Sequence, residues 1–133
     1  MLGLNKARGK YIVFMDHDDY YTDYDFFTKA INIHENANSP LAFVCANAQI
    51  HNALMDKRTI LDIGQPGIID GIKFIMRGSK PPSVFPTVFS ADALRQAGFY
   101  DKIIFDTLTY YQAALHGYVY IMPDIIGIYR IYG

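Results

Sequence analysis

Five apolar residues, Tyr11 to Met15, run without interruption into Asp16, and Asp18 and Asp19 follow at once. A half-buried strand alternates apolar with polar residues, so a continuous run predicts a strand buried on both faces of a parallel sheet. Ligands of open α/β sheets collect beyond the carboxyl ends of the strands, which puts Asp16 where a functional carboxylate belongs. If the chain stays extended there, Asp16 and Asp18 point the same way. Two convergent carboxylates suit a hard cation such as Mg²⁺ or Mn²⁺. Aspartates are equally at home in turns and helix caps, and a helix follows. For Asp16 and Asp18 both readings stand. For Asp23 and Asp25 the cap is preferred, since negative charge stabilises a first helical turn. His17 is read as solvent-facing.

Further along, helices and strands alternate and then mix. Residues 2–8 read as the end of a helix stopped by Gly9. Thr22 or Asp23 would cap a helix reaching about Asn36, with Phe26, Phe27, Ala30, Ile31 and His34 at helical spacing. Ala42 to Ile50 reads as a strand, and 51–66 as loop with a short strand at Thr59 to Ile63. A short helix spans Asp70 to Arg77, stopped by Gly78. The segment GSKPPSVFP is too rich in proline for regular structure. Val84 to Phe89 reads as a strand, Ser90 caps a helix through Ala97, and Asp106 caps another through His116. Tyr118 to Met122 and Ile125 to Ile131 complete the chain as strands. The fold class is α/β, with a mixed sheet flanked by helices in a single domain over 1–133. The predicted central strand follows almost directly on the N-terminus, so the domain is expected to be incomplete. Its uncovered sheet edge favours self-association.

Half of the residues are hydrophobic (51%) and 15% aromatic, which supports a packed core. A formal net charge of -1 provides no basic field, and argues against a nucleic-acid partner. The single cysteine, Cys45, cannot form an internal disulfide, and a reduced cytoplasmic setting is the simplest reading. No apolar run is long enough to cross a bilayer, so any membrane association would be peripheral, at the inner face.

Two alternatives for the acidic motif were tested on spacing. A calcium-binding EF-hand loop starting at Asp16 needs Gly at its sixth position and Glu at its twelfth, where Tyr21 and Phe27 stand. A magnesium-dependent phosphohydrolase of the haloacid dehalogenase type also places Asp-x-Asp after an apolar strand. It wants Thr or Val where Tyr20 stands and a later acidic pair that is lacking, and is kept as the runner-up.

Taken with its flanks, LGLNKARGKYIVFMDHDD resembles the middle of a family 2 glycosyltransferase of the GT-A (Rossmann-like) fold. In that family a helix rich in Asn, Ala and Gly precedes an apolar strand ending in Asp-x-Asp. PTVFSADALRQAGFYDK resembles its strand–helix segment near the acceptor, and FDTLTYYQAALHGYVYIMPDIIGIYR its acidic-motif helix and closing strands. The resemblance covers nearly the whole chain, least well from Ile50 to Lys80. It implies inverting transfer of a sugar from a nucleoside-diphosphate donor to a hydroxyl of a glycan or lipid-linked acceptor, in a setting such as polysaccharide biosynthesis. Asp16 and Asp18 would hold Mn²⁺ or Mg²⁺, Asp16 and Arg130 would approach the donor phosphates, and Asp106 would be the catalytic base. On sequence alone Asp106 reads as a helix N-cap and Arg130 as an edge-strand ion pair. The pattern departs from the family's at Phe105, Gln112 and Tyr132, where Glu, Arg and His are usual. The family's opening nucleotide-binding units have no counterpart, so little or no activity is expected of this chain alone. A degenerate, non-catalytic transferase module is the remaining alternative.

Overall fold

A computed structural model describes residues 6–98 and 106–133. The helix expected over 2–8 lies mostly outside them, as does most of the turn after Gly98. The elements are β1 (Tyr11–Ile12), β2 (Tyr20–Tyr21), α1 (Phe26–Asn36), β3 (Leu41–Asn52), β4 (Lys57–Thr59), β5 (Gly67–Asp70), α2 (Gly71–Arg77), β6 (Thr87–Ser90), α3 (Ala91–Gln96), α4 (Asp106–Ala114) and β7 (Tyr118–Ile131).

The mixed α/β class is as expected. One sheet carries the order β1-β6-β3-β7-β2, with β4 added to β3 and β5 to β7. Among the described strands only β3 and β7 run parallel, and every other pairing is antiparallel. The central strand is β3, whose residues Leu41 to Ala48 are all buried. Its alternate side chains feed two cores. Phe43 and Cys45 face Phe74, Phe89, Leu94 and Tyr110, under α2, α3 and α4. Val44, Ala46 and Ala48 face Phe26, Ala30, Phe85 and Ile126, under α1.

The opening apolar run behaves differently from its reading. Only Tyr11 and Ile12 are strand, paired antiparallel with Ser90 and Phe89, while Val13 and Met15 are exposed. Continuous hydrophobicity here marks an edge strand and the connection leaving it, and the doubly buried strand is β3. The segments expected as two final strands form one, β7, which passes through the exposed Pro123 with register shifts against β3. Proline is tolerated at such irregular points because it has no N–H to leave unpaired. Helix α1 begins at Phe26, later than expected: the Asp23 carboxylate is engaged in a turn, accepting the Asp25 N–H at 2.9 Å.

Candidate active site

The acidic motif lies between β1 and β2. Instead of staying extended, the chain turns through His17 and Asp18, and the Asp19 N–H approaches the Asp16 carbonyl at 3.3 Å. The turn leaves Asp16 and His17 exposed and buries Asp19, which is only 3% accessible. Neither Asp19 carboxylate oxygen has a hydrogen-bonding partner among the described residues. Burial pushes its pKa up to about 6, and repulsion from Asp16, Asp18 and Asp106 adds to this. Proximity to the backbone of Asp16 offsets part of the rise.

Asp106 arrives from far along the chain, in the first turn of α4. Its pKa is raised by desolvation and by the nearby Asp16, while Lys80 and a hydrogen bond with Ser83 pull it back down. Tyr129 of β7 feels all four carboxylates: burial first, then Asp106, Asp19, Asp16 and Asp18 raise its pKa. The fold therefore gathers Asp16, Asp18, Asp19 and Asp106 into one electrostatic neighbourhood. A concentration of negative charge costs stability, which is characteristic of sites built for a ligand.

Among the described residues, no three His, Cys, Asp or Glu side chains are placed to enclose a metal ion by themselves. The carboxylates are coupled but do not form a closed cage. Arg130 is exposed on β7, its guanidinium 5.5 Å from the centre of the Tyr20 ring. It stands beside Tyr129 on the strand, where side chains alternate between faces. Among the described residues no carboxylate pairs with it. Asp23, by contrast, is a structural carboxylate, sharing Lys29 with Asp124 at 2.9 and 3.0 Å. The cleft lined by Asn47, Asp62, Met122 and Pro123 includes none of the four clustered aspartates.

Sequence reasoning counted Asp19 in the acidic cluster without giving it a role, read the GSKPPSVFP segment holding Lys80 and Ser83 as either an acceptor-pocket lining or a turn-rich connection, and did not single out Tyr129. They lie far apart in the sequence, and only the tertiary fold brings them into one neighbourhood.

No family model matches this chain, and no curated protein matches it. Solved structures do. S. aureus TarS residues 1–349 aligns with a TM-score of 0.69 and 14% identity, covering 97% of this chain and 38% of that one. The same TarS segment in complex with UDP gives 0.68 and 17% identity, over 98% of this chain and 38% of that one. A further structure of TarS gives 0.67 and 16% identity, over 98% and 23%. The chain thus spans well under half the length of these structures. The shared architecture is a glycosyltransferase-like fold.

Proposed function

We propose that this chain forms part of the catalytic domain of an inverting, family 2-type glycosyltransferase that uses a nucleoside-diphosphate sugar. The observation that carries this is the electrostatic coupling of Asp106 to the Asp16–Asp19 turn, on a fold like that of a protein solved with UDP. Asp16 and Asp18 would hold Mg²⁺ or Mn²⁺. Such ions are commonly bound by only one or two carboxylates, with substrate phosphates and water completing the shell, so the open arrangement fits. The orphaned oxygens of Asp19 fit as well, since a nearby cation or its waters would satisfy them. Bound there, the ion would neutralise the charge that develops on the leaving diphosphate.

Asp106 would take the proton of the acceptor hydroxyl as it attacks the anomeric carbon from the face opposite the diphosphate. A carboxylate whose proton affinity is raised is the stronger base while it remains ionised. The acceptor would be a glycan or lipid-linked saccharide in polysaccharide biosynthesis, acted on in the cytoplasm or at the inner membrane face. No helix among the described residues is long and apolar enough to cross a membrane. Turnover by this chain alone is expected to be low.

Calorimetric titration with UDP, with and without Mn²⁺, tests the reading. Binding that requires Mn²⁺ and disappears in Asp18→Ala supports a diphosphate site at the turn. Metal-independent binding, or equal binding by Asp18→Ala, removes the aspartates from that role. Trapping of a phosphoenzyme that depends on Asp16 would favour the phosphohydrolase instead.

A further inference from the structure

Strands β4, β3 and β7 lie side by side in a register that lines up three basic residues. His51 of β3 pairs with Arg58 of β4 on one side and with Arg130 of β7 on the other. Directly paired residues send their side chains to the same face of a sheet, so Arg58, His51 and Arg130 form one row across three strands. The contacts of the two arginines agree with this. Arg58 Nη1 donates to Gln49 Oε1 at 2.8 Å, and Gln49 lies two residues before His51, on the same face. The Arg130 guanidinium stands 5.5 Å from the centre of the Tyr20 ring, and Tyr20 pairs with Ile128, two residues before Arg130.

Like charges set across a sheet repel, so such a row costs stability until something negative faces it. Among the described residues neither arginine is paired with a carboxylate. Their partners, an amide oxygen and an aromatic face, are neutral and leave both charges free for a ligand. The hairpin's own carboxylate, Asp56, is engaged by His51 Nε2 at 3.0 Å. His51 and Arg130 each lie one residue from the carboxyl end of their strand, and β3 and β7 run parallel. Ligands of α/β sheets gather beyond such ends. We propose that Arg58, His51 and Arg130 form a phosphate-binding site, with the Tyr20 ring beside it as a stacking face for a sugar that carries the phosphate. Neighbouring strands stand about 4.8 Å apart, so β4 and β7 are roughly 10 Å apart across β3. Two arginine side chains leaning inward close that gap over one anion, and His51, held by Asp56, spaces them. Two guanidinium groups match the double charge and several oxygens of a phosphate better than the single charge of a carboxylate. Tyr20 is 38% exposed, which leaves ring surface open to the apolar side of a sugar. The site goes beyond the proposed diphosphate site, since none of its groups is an aspartate of the acidic turn.

NMR titration with inorganic phosphate and with glucose 1-phosphate tests this, at low ionic strength and with EDTA to keep divalent cations off the acidic turn. In the unaltered chain the side-chain Nε–Hε signals of Arg58 and Arg130 should shift together along one saturating curve. This measurement needs no substitution, so it decides the matter if a variant fails to fold. Arg58→Gln and Arg130→Gln should each weaken phosphate binding about tenfold. Lys57→Gln removes the same charge from the preceding residue of β4, whose side chain points to the opposite face, and should leave binding almost unchanged. Equal losses in all three variants would reduce the effect to general electrostatic attraction and overturn the proposal, as would arginine signals that do not move. Glucose 1-phosphate binding more tightly than phosphate, with the difference lost in Tyr20→Leu, identifies the ligand as a sugar phosphate. Equal affinities overturn the stacking role of Tyr20 and leave a site for free phosphate. Glucuronate binding as tightly as glucose 1-phosphate overturns the choice of phosphate over carboxylate. None of these results bears on the acidic turn, whose reading stands or falls with the UDP titration.

Discussion

Asp19 shows at the scale of one residue what the acidic turn costs the fold. Its carboxyl is buried with no hydrogen-bonding partner among the described residues, and its pKa is raised from the ordinary aspartate range to about 6. A raised carboxylate pKa means that the folded state binds the proton more tightly than the unfolded one. Folding is therefore favoured most below the unfolded pKa, and that advantage is lost as pH rises from about 4 to about 6. The full penalty persists above that window, on the order of 2–3 kcal/mol for a shift of this size. Asp19→Asn should raise the melting temperature at pH 7.5 in the presence of EDTA and change it little at pH 3.5. Equal gains at both pH values would assign the effect to packing instead of charge. In the sequence, Asp16 and Asp18 stand out because they follow an apolar run. Asp19 differs from them only through burial, which depends on β2 folding back onto β7 and which no local pattern announces.

At the scale of elements, those legible in the sequence are the ones whose ends are fixed by local chemistry. Asp70 caps α2 by accepting from the Ile72 and Lys73 N–H groups, and Gly78 ends it in the left-handed region at φ 78°. Ser90 caps α3 by accepting from the Ala93 N–H. The strands were less legible because their limits are set by partners distant in sequence. β1 stops after two residues where its pairing with β6 ends, and β5 was not foreseen because it exists as a strand only against β7. The two glycines bounding α2 answer to different demands. A Cβ on Gly71 would overlap the Ala114 and Gly117 carbonyls, so this helix start lies directly against the end of α4. A Cβ on Gly78 would meet nothing, and only its backbone conformation resists substitution. Gly78→Ala should therefore cost about 1 kcal/mol. Gly71→Ala should cost about 3 kcal/mol or more, because backbone has to move. Urea denaturation of the two variants measures the difference, and similar costs would mean that α2 can shift freely on α4.

For the whole molecule, the decisive feature is that β1 is the last described strand on its side of the sheet. Its pairing with β6 occupies one side of β1, and no described strand occupies the other. The chain leaving this edge exposes Val13 at 37% and Met15 at 51%, so apolar side chains lie beside unpaired backbone. Such an edge is a template for further pairing unless charge or a bulge blocks it. Lys10 does not guard it, since its ammonium is drawn to Glu35 of α1 at 2.9 Å. The matched structures are much longer than this chain, whose own residues provide only part of the aligned architecture. In isolation, a second copy is the partner available in a pure solution. Sedimentation velocity should show association that grows with protein concentration. Val13→Lys combined with Met15→Lys should suppress it, because two charges beside the edge would have to be buried on pairing. Neither side chain belongs to either buried core, so the double variant should melt close to the unaltered chain. A chain that stays monomeric at high loading would show that β1 is guarded without a partner. Association that survives both lysines would move the contact to another surface, such as the exposed Ile68 and Tyr118 of β5 and β7.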